Sequence, residues 1–115
     1  MSALVLAALG GGLGAALRLG LTWAALWGWG EAFLVATLIA NLGGSALIGA
    51  LSVRDLSANA RAFWMTGFCG GLTTFSALAL EVMVLGLRGD WVLGLGYLGG
   101  SVLGAIAAVA VARRL

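Results

Sequence analysis

The stretch TGFCGGLTTFSALALE, residues 66–81, concentrates polar groups inside an apolar part of the chain. Its sixteen residues include three glycines, three threonines, a cysteine, a serine and a glutamate. The sequence on either side is mostly apolar over lengths that suit a membrane span. Polar groups at that depth are costly unless they have partners or a task, so we expect this stretch to be functional.

The composition of the whole chain is that of an integral membrane protein. Of its 115 residues 63% are apolar, six are basic, four are acidic, and none is proline or histidine; the mean hydropathy is +1.14. Soluble domains do not reach such values. The charges separate apolar stretches of about 20 residues, the length that crosses a bilayer. We predict an all-α integral membrane fold, one four-helix unit over residues 1–115, with transmembrane helices near 3–26, 32–53, 62–87 and 91–112.

The arginines bear on orientation and on partners. If both termini are cytoplasmic, the arginines at positions 54, 61, 113 and 114 lie inside, against one or two outside. Because cytoplasmic loops are enriched in arginine, this modest bias favours that orientation while leaving insertion in both directions open. The arginines form no basic patch, so we expect no nucleic-acid partner.

Small residues predict close helix packing in the first and fourth spans. Gly10 and Gly14 form a GxxxG pair, and Gly96, Gly100 and Gly104 begin a stripe of small residues spaced by four. Such residues let neighbouring helix backbones approach closely in a membrane.

Polar side chains in the first two spans need partners. Asn41 lies near the middle of the second span; it either bonds to Thr37 or another helix, or offers its NH₂ group to an anion. Arg18 lies within the first span and either extends to the surface or lines a water-filled vestibule.

In the fourth span Tyr97 and Ser101 lie four residues apart and project from one line of the helix. They either present two hydroxyls to a pore, or Tyr97 belongs to an interfacial aromatic belt and Ser101 bonds to its own helix backbone.

The third span contains features that predict a broken helix. Gly70 and Gly71 weaken helical structure, and Thr73 and Thr74 follow them, so we predict a break within residues 67–76. Carbonyl oxygens freed at such a break must be buried in protein or used as ligands. They are hard donors that suit an alkali or alkaline-earth cation.

Three residues beyond the predicted break are candidates for a functional site. An edge-on Phe75 ring can contact an anion without a competing charge, although ordinary packing is the alternative. Ser76 adds a hydroxyl beside it. Glu81 is costly in lipid, so it should face protein, water or an arginine such as Arg18.

Four segments in order resemble the Fluc (CrcB) family of fluoride channels over nearly the full chain. They are GGGLGAALR (10–18), TLIANLGGSALIG (37–49), GFCGGLTTFS (67–76) followed by Glu81, and YLGGS (97–101). The third segment is the most specific of the four.

The resemblance implies a fold, an ion path and an ion site. The implied assembly is an antiparallel dual-topology dimer with two pores and a central structural sodium ion (Na+), held by the carbonyls of Gly70 and Thr73 from both subunits. The implied activity is passive export of cytoplasmic fluoride across a bacterial inner membrane, which relieves fluoride toxicity. The residues implied for the fluoride path are Asn41, Phe75, Ser76, Tyr97 and Ser101. Further functional candidates are Arg18, Thr74 and Glu81.

One departure from the family pattern affects the expected pore. Leu78 stands where the family usually has a second phenylalanine. The missing ring and the arginine bias leave a heterodimer with a related subunit as an alternative to the homodimer that we favour.

Two other classes of function compete with a channel. A small proton-coupled drug exporter is also a four-span dimer but needs a carboxylate in its first span, where this chain has Arg18 and no acid before Glu31. A scaffold protein would use Asn41 and the threonines only to join helices. We expect no enzyme, because the sequence offers no nucleophile paired with a base.

Overall fold

The structure, a computed structural model, describes residues 1–28 and 33–115, and all regular structure in these ranges is helical. The first two helices are α1 (Ala3–Gly28) and α2 (Phe33–Ser52). The third span consists of α3 (Ala58–Arg61), a π-helix (Ala62–Cys69), α4 (Gly70–Leu72) and α5 (Phe75–Leu87). The last helix is α6 (Trp91–Ala112).

The four predicted transmembrane helices are confirmed. Four described segments are long and apolar enough to cross a membrane, namely Ala3–Trp27, Phe33–Ser52, Ala58–Leu87 and Trp91–Ala112. The third begins at Ala58, four residues earlier than predicted. Glu31 and the predicted start of the second span at residue 32 lie outside the described residues. The protein is therefore a multi-pass membrane protein with four helical spans.

Contacts between spans give the direction of each helix. Along α2, Thr37 bonds to Glu81 while Asn41 bonds to Thr74, so α2 runs opposite to the third span. A Cβ on Gly49, near the end of α2, would lie 2.7 Å from the Val109 carbonyl near the end of α6, so these two helices run parallel. The chain passes up and down, and both termini lie at one end of the bundle.

Helix α1 packs directly on the third span through glycines, as the GxxxG pair predicts. A Cβ on Gly10 would meet the Phe63 carbonyl, and one on Gly14 would meet the Phe68 carbonyl. On the facing side, a Cβ on Gly71 would meet the Gly11 carbonyl. The backbones therefore approach so closely that a methyl group does not fit between them.

The stripe of small residues in α6 is only partly packed within the described residues. A Cβ on Gly104 would lie 3.0 Å from the Leu42 side chain, and Ala112 is buried. A Cβ on Gly96 or Gly100 would meet nothing within 4 Å. The half of the stripe nearer the start of α6 is thus open on the outside of the subunit.

The third span leaves the α-helical pattern in two ways. Residues Ala62–Cys69 form a π-helix, which was not predicted and which often occurs next to functional positions. Then Thr73 (φ −83°, ψ 152°) and Thr74 (φ −151°, ψ 122°) have extended backbone. The break was predicted from Gly70 and Gly71 together with the threonines that follow them; the two glycines belong to the helical turn α4.

Candidate functional site

A groove of about 540 Å³ lies between α2, the third span and α6. Its walls are mostly apolar, with a few polar groups placed among them, which is the usual character of a ligand site. The lining residues are Asn41, Gly44, Ser45, Ile48, Met65, Thr66, Cys69, Gly70, Thr73, Thr74, Phe75, Leu78, Ser101, Val102, Ala105 and Ile106. The extended threonines therefore form part of this groove.

Asn41 joins α2 to the extended backbone. Its Nδ2 donates to the Thr74 carbonyl oxygen at 3.0 Å, and the Thr74 N–H donates to Asn41 Oδ1 at 2.7 Å. Both main-chain groups of one residue are thus satisfied by one side chain. The bond to Thr37, one of the alternatives considered from the sequence, is not formed. One Nδ2 hydrogen remains for a further acceptor, since an amide carries two.

Thr74 also begins the helix that follows. Its hydroxyl accepts from the Ala77 N–H at 3.2 Å, a bond typical of a threonine at a helix N-cap. The hydroxyl of Ser76 lies 3.2 Å from that of Thr74. Thr74 and Ser76 together place two linked hydroxyls at the start of α5.

Arg18 reaches the third span from α1. Its Nε donates to the Gly71 carbonyl oxygen at 3.3 Å. This carbonyl lies two residues before Thr73, the first of the extended residues, so the guanidinium compensates for a lost helical bond. Arg18 makes no ion pair with any residue in the described part of the chain, and in particular it does not contact Glu81.

Glu81 is held by two hydroxyl groups from neighbouring helices. Thr37 of α2 donates to Oε1 and Tyr97 of α6 donates to Oε2, each at 2.6 Å. The Tyr97 hydroxyl also lies 3.2 Å from the Leu34 carbonyl oxygen. Lipid cannot donate hydrogen bonds to a carboxylate, but these two hydroxyl groups do. The two bonds also connect α2 and α6 to the third span.

Phe75 and Leu78 lie on the groove but differ in exposure. The Phe75 side chain is 70% exposed, whereas Leu78 is 3% exposed. Packing inside this subunit therefore does not require the Phe75 ring. The one aromatic ring that lines the groove is free to contact something outside the chain.

Ser101 is 2% exposed, and its hydroxyl has no hydrogen-bond partner in residues 1–28 and 33–115. It therefore does not bond to its own helix backbone, the alternative considered from the sequence. Because a buried hydroxyl without a partner costs free energy, this one is available to a ligand that enters the groove.

The carbonyl oxygens of Gly70 and Thr73 accept no hydrogen bond from the described residues. Both residues line the groove, and oxygen donors of this kind fit an alkali cation. These two carbonyl oxygens alone are fewer donors than a cation needs.

The predicted site residues form three groups. Asn41, Gly70, Thr73, Thr74, Phe75 and Ser101 line the groove, whereas Tyr97 and Glu81 form a neighbouring cluster and Ser76 and Arg18 border the extended segment from outside the groove. Thr37 was considered only as a partner of Asn41. Its spacing of four from Asn41, which places both on one face of α2, could have indicated that it faces the site.

Comparison with known proteins places the chain in a family. The profile described as "CrcB-like protein, Camphor Resistance (CrcB)" matches residues 5–113. The chain is 41% identical over 112 residues to a fluoride-specific ion channel FluC of Gloeobacter violaceus, with 90% of this chain and 87% of the relative covered. It is 37% identical over 119 residues to the FluC of Opitutus terrae, with 97% and 87% covered. It is 44% identical over 108 residues to that of a Methylobacterium species, with 90% and 86% covered. A profile match over nearly the whole chain, together with these relatives, establishes that the chain belongs to the CrcB-like family.

Proposed function

We propose that this protein is a fluoride-selective channel that exports cytoplasmic fluoride passively. The observation that carries the proposal is the groove, where an exposed aromatic ring, an amide and an unbonded buried hydroxyl meet an extended stretch of backbone. Relatives that align over most of the chain are named fluoride-specific ion channels. The activity would relieve fluoride toxicity at a bacterial inner membrane, and it makes the protein a transporter and not an enzyme.

We infer that two copies assemble antiparallel around this groove. The few polar groups of this groove would be unfavourable if lipid faced them, because hydrocarbon cannot bond backbone and hydroxyl groups. A second copy would cover the groove, and the open glycines Gly96 and Gly100 would allow a helix to approach α6. Opposite orientations of the two copies are compatible with the weak arginine bias, which leaves insertion in both directions open. A homodimer is the primary proposal, and a heterodimer with a related subunit is the alternative.

The proposed assembly includes a structural sodium ion between the copies. Gly70 and Thr73 of each copy would hold it through their carbonyl oxygens, which gives four hard donors. The support is that these oxygens accept no hydrogen bond among the described residues. The ion would join the copies and would not be transported.

The fluoride path would run along the groove and the cluster beside it. Asn41, Ser76 and Ser101 can donate hydrogen bonds to a dehydrated anion, and the edge of the Phe75 ring can contact it. The single hydroxyl hydrogen of Tyr97 is held by Glu81, so Tyr97 would donate to the anion by exchanging that bond. Selectivity over chloride would come from a narrow pore and closely spaced hydrogen-bond donors, without a fixed positive charge in the path. Leu78 offers no ring edge, so Phe75 would be the aromatic contact from each copy.

We expect Ser101→Ala to slow transport without harming the fold. Deleting a buried hydroxyl that has no partner should leave the free energy of unfolding unchanged within about 0.5 kcal/mol, or raise it. Loss of one donor to the anion should slow fluoride flux about tenfold, equivalent to about 1.4 kcal/mol. Unfolding in mixed micelles and efflux from liposomes measure the two effects. Ser52→Ala, at the end of α2, is the control that should keep full flux.

Efflux from liposomes that contain the purified protein tests the proposed function. Vesicles loaded with potassium fluoride should release fluoride to an external electrode when valinomycin lets potassium follow, while vesicles loaded with chloride should release none. Proton-coupled uptake of an organic cation would favour the exporter. Absence of any flux from a correctly assembled dimer would favour the scaffold.

A further inference from the structure

The interruption between α4 and α5 leaves main-chain groups without helical partners. In an α-helix each carbonyl oxygen accepts from the N–H four residues later, which would pair Gly70 with Thr74 and Gly71 with Phe75. Extended backbone at Thr73 and Thr74 prevents both bonds. In the membrane such groups must find other partners or serve as ligands.

Side chains from two other helices supply the missing partners. Arg18 of α1 bonds the Gly71 carbonyl oxygen at 3.3 Å. Asn41 of α2 bonds the Thr74 N–H at 2.7 Å and the Thr74 carbonyl oxygen at 3.0 Å. The extended segment is therefore anchored on both sides by residues far away in sequence.

The geometry of the peptide unit links the Asn41 bond to the Thr73 carbonyl. The Thr73 C=O and the Thr74 N–H belong to one planar trans peptide, in which the two groups point in opposite directions. When Asn41 Oδ1 holds the N–H, it also directs the Thr73 oxygen away from Asn41. Arg18 acts similarly on the neighbouring turn, because it fixes the peptide that follows the one carrying the Gly70 carbonyl.

We propose that Asn41 and Arg18 are positioning residues that keep the carbonyl oxygens of Thr73 and Gly70 free of helical bonds and oriented for a cation. This inference rests on the proposed function, in which those oxygens hold sodium. Asn41 would thus hold the Thr74 N–H in addition to donating to fluoride. Arg18 would act as a hydrogen-bond donor at a fixed place, and a positive charge without that bond would not orient the backbone.

The test compares variants that keep or remove each bond. Asn41→Asp retains an acceptor for the Thr74 N–H and the same side-chain shape, whereas Asn41→Leu retains only the shape. Arg18→Met removes the donor, and Arg113→Met, at the exposed end of α6, is the matched control. If Asn41→Leu fails to assemble, Asn41→Gln, whose amide is displaced by one methylene, gives the same comparison.

Two measurements on the full-length protein in nanodiscs decide the result. Hydrogen–deuterium exchange at the Thr74 amide should accelerate at least about tenfold in Asn41→Leu and stay near wild type in Asn41→Asp. The sodium concentration that gives half of the maximal thermal stabilisation should rise about tenfold in Asn41→Leu and Arg18→Met, but not in Asn41→Asp or Arg113→Met.

Different results would contradict the positioning role of Asn41 and Arg18 and the proposed sodium site. Unchanged exchange at Thr74 in Asn41→Leu, or unchanged sodium dependence in both Asn41→Leu and Arg18→Met, would overturn the positioning role. A wild-type protein whose stability ignores sodium would overturn the sodium site itself, and the exchange data would still decide whether Asn41 holds the segment.

Discussion

Replacing Phe75 by isoleucine should abolish fluoride conduction and leave the fold and the dimer intact. The ring is 70% exposed in the subunit, so packing within the chain loses little when it is removed. An isoleucine at the same place is apolar and of similar bulk but has no partly positive edge for an anion. We expect flux to fall by at least about 100-fold, equivalent to about 2.7 kcal/mol in the barrier.

Efflux from liposomes measures this change, and size-exclusion chromatography confirms that the dimer persists. Leu80→Ile is a matched control, because Leu80 is also exposed on α5 but does not line the groove. Flux that stays at the wild-type level in Phe75→Ile would remove Phe75 from the ion path, whatever the control does.

Gly14→Leu should strongly destabilise the subunit. Even the first carbon of a side chain at Gly14 would overlap the Phe68 carbonyl, and it would lie 2.7 Å from the Leu72 N–H nitrogen. These neighbours are main chain, so they cannot move aside as a flexible side chain could. Overpacking a tight site costs about 1–3 kcal/mol and occasionally more, and we expect a loss near or above 3 kcal/mol in the free energy of unfolding.

Unfolding in mixed micelles, followed by tryptophan fluorescence, measures this loss, since the chain has five tryptophans. Gly12→Leu makes the same chemical change on the same helix, where a new Cβ meets nothing within 4 Å of the subunit. The control should cost well under 1 kcal/mol in the free energy of unfolding, about the effect of a surface substitution. Equal destabilisation by both variants would show that close packing of α1 on the third span is not the cause.

The four spans and the glycine contact between α1 and the third span could be predicted from the sequence. Charges delimit apolar stretches of bilayer length, and that pattern needs no tertiary information. The Gly10 and Gly14 pair was also informative, because spacing by four places both residues on one helix face. In membrane helices, small residues placed in this way usually let a neighbouring helix pack closely.

The place where the backbone becomes extended could not be read from glycine content. A glycine costs a helix about 1 kcal/mol, but Gly71 lies against the Gly11 carbonyl in a contact that only glycine permits. Tight packing keeps this turn helical. The useful signal was Thr74, since threonine before an apolar helical run is a common N-cap. The π-helix has no comparable signal in the sequence.

The partners of Glu81 depend on tertiary structure that sequence does not reveal. Arg18 was considered because a buried carboxylate attracts a cation. It contacts Gly71 instead, ten residues before Glu81 along the chain. Even a fully helical segment of that length spans about 15 Å, and the extended backbone at Thr73 and Thr74 lengthens it. Thr37 and Tyr97 reach Glu81 because α2 and α6 flank α5 at that depth, which only the three-dimensional arrangement determines.

The most direct test of selective, passive fluoride conduction is the reversal potential in planar bilayers that contain the purified protein. With a tenfold fluoride gradient and equal chloride on both sides, we predict reversal at the fluoride equilibrium potential, about 59 mV for a monovalent ion, at any pH gradient. Reversal near zero under the same gradient, or a reversal potential that follows the proton gradient, would contradict the account.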